Sequence, residues 1–192
     1  MIALRAVTKR FGAQVVLDRF DLDLADGAVT AVMGPNGSGK TTLGRLLLGL
    51  EVADAGTITG LDGRRRAAVF QEDRLCEQLS AVRNVRLVLD RATRRSAVVE
   101  ELRRVGLTEE SLVKPVRELS GGQRRRVAIV RALMAPAELV VLDEPFTGLD
   151  TDSRPTVMAH VRERCEGRTT VLITHDLAEA DWFGAPVVEL GV

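Results

Sequence analysis

The pattern GxxxxGK[ST] occurs at Gly34-Pro35-Asn36-Gly37-Ser38-Gly39-Lys40-Thr41. Glycines at these spacings let the main chain curl until several N–H groups point inward, the arrangement that holds phosphate oxygens. A helix starting at the same point adds its unpaired N–H groups and the positive end of its dipole. From that position Lys40 reaches the β- and γ-phosphates, and the Thr41 hydroxyl can ligate Mg²⁺. The competing interpretation is a plain glycine-rich turn. The complete pattern between a predicted strand and a predicted helix sets it aside.

Two further stretches could take part in the same chemistry. Leu139-Val140-Val141-Leu142 runs into Asp143-Glu144. A carboxylate at the tip of a buried strand beside a phosphate loop can hold Mg²⁺, directly or through water. Glu144, next in line, can orient and deprotonate an attacking water. Many strands end in acids, so this pair draws its meaning from the phosphate loop. In Leu119-Ser120-Gly121-Gly122-Gln123, Ser120 and Gln123 stand at capping-box spacing at the head of a helix. A helix cap accounts for the spacing. It leaves a second glycine-flanked anion site without an obvious structural purpose.

The elements that must position these groups follow from periodicity. Residues 1–33 read as strands, with Asp21-Leu22-Asp23-Leu24 alternating and Asp26-Gly27 as a turn signal. Val29 to Met33 is an apolar run suited to a parallel sheet covered on both faces. Leu43, Leu46, Leu47 and Leu50 share one helix face. Short strands are predicted at Gly56–Thr59 and Arg66–Phe70, and a charged helical insertion over about 73–118, where Val98, Leu102 and Val105 share a face and Gly106 is a stop. A helix over Gly121–Met134, a strand at Leu139–Leu142, a helix at about Ser153–Cys165 and strands at Thr170–Thr174 and Val187–Leu190 complete the series. Strand–helix alternation implies a mostly parallel α/β sheet in a single domain spanning 1–192.

Several of these stretches, taken in order, resemble the ATP-binding-cassette (ABC) ATPases. Leu119-Ser120-Gly121-Gly122-Gln123 is similar to the family's signature motif, and Gln71 resembles its Q-loop glutamine. Asp143-Glu144 resembles the Walker B acid and catalytic glutamate, Thr147-Gly148-Leu149-Asp150 the D-loop, and His175 the switch histidine. Phe11 resembles the aromatic that stacks on adenine, although Tyr is more usual there and a core Phe is the alternative. The resemblance covers nearly the whole chain. It implies a P-loop NTPase fold with an N-terminal antiparallel β subdomain and an inserted helical subdomain. It also implies an ATPase using ATP and Mg²⁺, working as a head-to-tail dimer of two copies or with a second cassette. Each ATP would touch the phosphate loop of one chain, including Thr42, and the Ser120-Gly121-Gly122 stretch of the other, with Gln123 and Asp150 also among the nucleotide-binding residues. Thr41, Gln71 and Asp143 would hold the metal; Glu144, His175 and Gln71 would serve hydrolysis.

The resemblance further implies a transporter motor, peripheral at the inner, cytoplasmic face of the membrane and docked through the helical block to an integral membrane permease. Phe70-Gln71-Glu72-Asp73-Arg74-Leu75 resembles the segment of bacterial importers of nitrate and sulfonates, which favours import; Cys76-Glu77-Gln78 departs from it. Chain length after Val187–Leu190 is shorter than usual for transporter cassettes, so C-terminal regulatory elements are expected to be missing. A non-transport cassette of DNA repair or translation is the alternative function. Neither heptads nor paired cysteines favour it. A nucleotide-binding regulator without turnover is a third, opposed by the presence of both Glu144 and His175.

Composition narrows the classes further. Lys+Arg and Asp+Glu are both 27, and this zero net charge counts against a nucleic-acid partner. Arg124-Arg125-Arg126 could suggest nucleic acid, but is expected to be a solvated helix face. Cys76 and Cys165 lack zinc spacing and are expected to be reduced thiols. No apolar run is long enough to cross a bilayer, so a soluble chain is expected. His160 is expected to be an ordinary helix residue, and Trp182 and Phe183 core residues.

Overall fold

The structure is a computed structural model, and it describes Met1–Gly191. Strands β1 (Ile2–Phe11), β2 (Gln14–Leu24) and β4 (Ala55–Thr59) form an antiparallel sheet in the order β2-β1-β4. The alternation foreseen in β2 is present: Leu22 and Leu24 are buried between exposed Asp21 and Asp23. Strands β3 (Val29–Met33), β5 (Arg66–Val69), β6 (Leu139–Asp143), β7 (Thr169–Ile173) and β8 (Val187–Glu189) form a second sheet in the order β5-β6-β7-β3-β8. The pairs β3/β7, β3/β8 and β6/β7 are parallel. Every residue of β6 and β7 is buried, as continuous apolar runs in a doubly covered parallel sheet require. This is the α/β, P-loop NTPase architecture expected from the sequence.

Helix α1 (Lys40–Leu48) follows β3 directly and buries Leu43, Leu46 and Leu47. Gly44 on this helix lies so close to Val141 and Ile173 that an added Cβ would be 3.2 and 3.3 Å from their side chains. Leu50, expected on the same face, is outside the helix and 57% exposed. Gly49 adopts φ 72°, its N–H and that of Leu50 cap Leu46 and Arg45, and the chain turns away before Leu50 can reach the core. One apolar cluster, including Ile2, Leu4, Leu24, Leu43, Leu47, Leu139, Val171 and Ile173, joins both sheets to this helix.

The chain divides into two compact units. The first comprises Met1–Ala68, Ala137–Glu144 and Cys165 onward; the second comprises Val69–Pro136 and Pro145–Arg164. The second unit contains α2 (Ala81–Arg86), α3 (Arg95–Arg104), α4 (Glu109–Val113), a 3₁₀ turn (Val116–Glu118), α5 (Gly121–Met134) and α6 (Arg154–Cys165) as far as Arg164. Val98, Leu102 and Val105 are buried as their spacing predicts, and Gly106 at φ 80° ends the helical run. His160 is buried in this unit, with Nε2 3.3 Å from Glu101 Oε2, and burial pushes its pKa down. Helix α7 (Leu177–Phe183), not foreseen from periodicity, lies in the first unit. Phe183 is buried as expected, but Trp182 is 44% exposed on the other side of that short helix. Among the described residues no helix is long and apolar enough to cross a membrane.

Candidate functional site

In the first unit the phosphate-loop residues connect the carboxyl end of β3 to α1, where ligands of open α/β sheets bind. Gly34 takes φ 147°, and a Cβ there would stand 2.3 Å from the Leu190 carbonyl oxygen and 2.8 Å from Ser38 Oγ. Gly39 takes φ 101°, and a Cβ there would stand 3.0 Å from the Val16 and Leu17 side chains. Thus the loop needs glycine at both places, for conformation and for space. Ser38 Oγ is buried and among the described residues has no hydrogen-bond partner, a polar atom of the kind that a phosphate oxygen would satisfy. The Lys40 ammonium donates to the carbonyls of Gly34 (2.7 Å) and Pro35 (2.9 Å), which holds its charge over the loop. Asn36 and Gly37 are exposed at the crest, and Thr42 is half-buried in the first turn of α1.

Asp143 ends β6, and its Oδ2 accepts a hydrogen bond from Thr41 Oγ1 at 3.1 Å. Two oxygen donors at this spacing suit Mg²⁺, which takes one or two protein oxygens and completes its shell with phosphate and water. No cluster of three or more His, Cys, Asp or Glu among the described residues could cage a metal alone.

Glu144 follows at φ 49°, a left-handed conformation that costs a non-glycine residue energy and is found at functional sites. Its N–H donates to the Ile173 carbonyl (2.9 Å), which ties the turn to β7. Its carboxylate meets His175 Nδ1, with Oε2 at 2.8 Å and Oε1 at 2.9 Å. The hydrogen bond and the charge of Glu144 raise the His175 pKa above the ordinary histidine value. The turn presenting His175 is fixed from beneath. Thr174 Oγ1 donates to the buried Glu179 (2.5 Å) and accepts the Asp176 N–H (3.1 Å), while Asp176 caps α7. Phe11 is 45% exposed, so it is not a core residue, and Lys9 Nζ lies 5.2 Å from its ring centre.

In the second unit, Ser120 Oγ accepts the Gln123 N–H (3.2 Å), and Gln123 Oε1 accepts the Ser120 N–H (2.9 Å). This is the reciprocal capping box expected from the spacing. Gln123 Nε2 donates onward to Ser111 Oγ (3.0 Å), so the amide is fixed from both ends. Gly121 is exposed, and a Cβ on Gly122 would be 3.2 Å from the Gly148 carbonyl oxygen, which brings Thr147-Gly148-Leu149-Asp150 against the head of α5. Asp150 is exposed and accepts hydrogen bonds from Ser153 N (2.8 Å) and Oγ (2.7 Å); these hold its pKa below the usual carboxylate range. Gln71 is exposed in the loop after β5.

Periodicity failed at one place in this unit. The expected solvated face Arg124-Arg125-Arg126 is not one, because Arg125 is 4% and Arg126 9% exposed. Arg126 donates to the carbonyls of Val105 (3.1 Å), Gly106 (3.1 Å) and Gly122 (3.3 Å), while Arg125 reaches Phe70, Gln71, Asp73 and Pro145. Loop carbonyls that no strand or helix pairs need donors, and buried guanidinium groups supply them. The signal available beforehand was that two of three adjacent arginines must face inward if α5 is covered along most of its circumference.

The family profile described as "ABC transporter" matches residues 17–147. The Aliphatic sulfonates import ATP-binding protein SsuB of Granulibacter bethesdensis is 42% identical across 99% of this chain and 79% of its own length. The Sulfate/thiosulfate import ATP-binding protein CysA of Caulobacter vibrioides is 38% identical across 93% of this chain. The SsuB of Cupriavidus necator is 42% identical across 92%. The chain spans only 58% and 61% of the length of those last two. A dimeric bacterial ABC transporter cassette superposes with a TM-score of 0.86 at 28% identity, covering 99% of this chain and 94% of that one. A dimeric post-hydrolysis state of an ATP-binding cassette, bound to ADP and Pi, gives 0.85 at the same identity and coverage. The glycine loop, the acids ending β6 and the capped head of α5 thus lie in a chain that belongs to the ABC transporter family.

Proposed function

We propose that this chain binds Mg-ATP and hydrolyses it, as the motor subunit of an importer whose membrane-spanning permease is a separate chain. The carrying observation is the meeting of Thr41 with Asp143 beside the glycine loop, with Glu144 one residue further on and held by His175. The loop N–H groups, Ser38 and Lys40 bind the phosphates. Thr41 and Asp143 offer oxygens to Mg²⁺, which when bound neutralises charge on the phosphoryl group. Glu144 takes a proton from the attacking water as the water oxygen bonds to the γ-phosphorus, and the bond to the ADP oxygen breaks. His175, exposed and hydrogen-bonded to Glu144, orients that carboxylate and can reach the γ-phosphate.

Phe11 offers its open ring to adenine. Gln71 keeps the sensing role that the family pattern gives it. Ser120, Gly121, Gly122, Gln123 and Asp150 act on the nucleotide of a paired cassette, either a second copy or a related chain. In a symmetric pair each chain then supplies half of two sites. The dimeric structural neighbours support this arrangement. The names of the relatives favour import over a repair or translation role. The place of work is the cytoplasmic face of the membrane, at the permease.

Isothermal titration with Mg-ATP tests the nucleotide site. Lys40→Ala removes charge-assisted hydrogen bonds and is expected to weaken affinity about 10- to 100-fold, with the fold retained. Equal affinity in wild type and variant would show that Lys40 does not face the phosphates.

A further inference from the structure

We propose that Arg125 is a positioning residue for hydrolysis: its buried guanidinium ties the loop that carries Gln71 to the turn that follows Glu144, and fixes both to α5. This rests on the function proposed above. Arg125 Nε donates to the Pro145 carbonyl at 2.9 Å. Its Nη1 donates to the Phe70 carbonyl at 2.5 Å and lies 3.3 Å from both the Gln71 carbonyl and Asp73 Oδ1. One side chain on one helix therefore bonds two chain segments that are far apart in sequence. Each segment adjoins a residue assigned to hydrolysis: Gln71 itself, and Pro145 directly after Glu144.

The geometry of the group makes this more than cohesion. A guanidinium is a rigid planar fork, so its donors keep a set angle and separation, and a shift of one segment is passed to the other. An ammonium keeps its three donors on one nitrogen at the end of a flexible stem, so it does not hold two segments at a set angle and separation. A second arginine on the same helix continues the contact: Arg131 donates to the carbonyls of Asp73 (3.0 Å) and Arg74 (2.9 Å). The segment so held is irregular, with Arg74 at φ 46° and its guanidinium carbon 3.9 Å from the Phe70 ring centre. It has no ladder of its own to keep this shape, so α5 imposes it. Helix α5 also begins at Ser120-Gly121-Gly122, the stretch assigned to the partner's nucleotide. A displacement at the head of that helix is thereby delivered to the Gln71 and Pro145 peptides.

Arg125→Lys keeps the charge and most of the stem but not the fork. Amide exchange over residues 70–74 is expected to quicken about tenfold in this variant. Its kcat for Mg-ATP is expected to fall about 10- to 100-fold, with nucleotide Kd within about twofold of wild type. A merely structural role predicts instead a lower melting temperature with unchanged kcat per nucleotide-binding chain. Asp73→Asn, made from the partly exposed side, weakens the same clamp without opening the core and is expected to lower kcat by a few-fold in the same direction. It decides the matter should Arg125→Lys fail to fold. Unchanged exchange over 70–74, or faster exchange with unchanged kcat, overturns the proposal. A wild-type chain that releases no phosphate would instead overturn the proposed function, and the exchange measurement would still decide the clamp.

Discussion

The two units hold their candidate site residues by different physical means. In the first, Asp143, Glu144 and His175 stand at or just beyond the ends of β6 and β7, strands that are wholly buried, and Lys40 opens α1 after the loop that leaves β3. Sheet hydrogen bonds and a shared apolar core fix where those strands end, so side chains a few ångströms apart inherit that precision. In the second, Ser120, Gln123, Asp150 and Gln71 stand on helix caps and loops. Their backbone polar groups are satisfied locally, by the capping box and Ser153, or by the buried guanidinium groups of Arg125 and Arg126. A sheet end is rigid because many residues share the load, whereas a loop held by a few side-chain hydrogen bonds can move when those side chains move.

This contrast is broken most severely at Glu144. Glu144→Gln keeps size and hydrogen bonding but removes basicity, so phosphate release is expected to fall about 10²- to 10⁴-fold while Mg-ATP binding persists. Light scattering after size exclusion should then show an ATP-dependent shift from monomer to dimer. Hydrolysis at wild-type rates would move the general base elsewhere, with His175 the next candidate.

The second unit is tested by Ser120→Arg, which should leave nucleotide binding by the single chain near normal and remove turnover. Mixed with Lys40→Ala chains, it should regain part of the wild-type rate, because one composite site then has two intact halves. A mixture no better than either variant alone, with dimerisation verified, would defeat the head-to-tail arrangement.

The smallest effect concerns the His175–Glu144 contact. Because Glu144 raises the His175 pKa, the charged pair adds stability below the unfolded histidine value of about 6.5. That contribution is lost as pH rises through the higher folded value. A proton NMR titration should give a His175 midpoint above about 6.5, and Glu144→Gln should move it down. Equal midpoints in the two proteins would mean that the contact is not populated in solution.

Period and punctuation sufficed for much of this molecule. Residues 139–142 and 98–105 announce themselves because a doubly covered strand must be apolar throughout and an amphipathic helix must repeat its apolar face. The phosphate loop was legible for a similar reason: glycine spacing, lysine and hydroxyl are covalent facts of the sequence. Leu50 was misjudged because its spacing fits the helix while Gly49 ends it, and an αL cap overrides periodicity. Helix α7 was missed because at seven residues it is too short for its pattern to stand out. Residue type and spacing, then, were enough to determine the fold class and the family pattern, and to single out residues 34–41 and 143–144 as candidates. The burial of Arg125 and Arg126, the 3.1 Å meeting of Thr41 with Asp143 and the contact of Glu144 with His175 were decided by tertiary structure alone. Each depends on which distant carbonyl or carboxylate the folded chain brings within hydrogen-bond reach, and no local pattern encodes that distance.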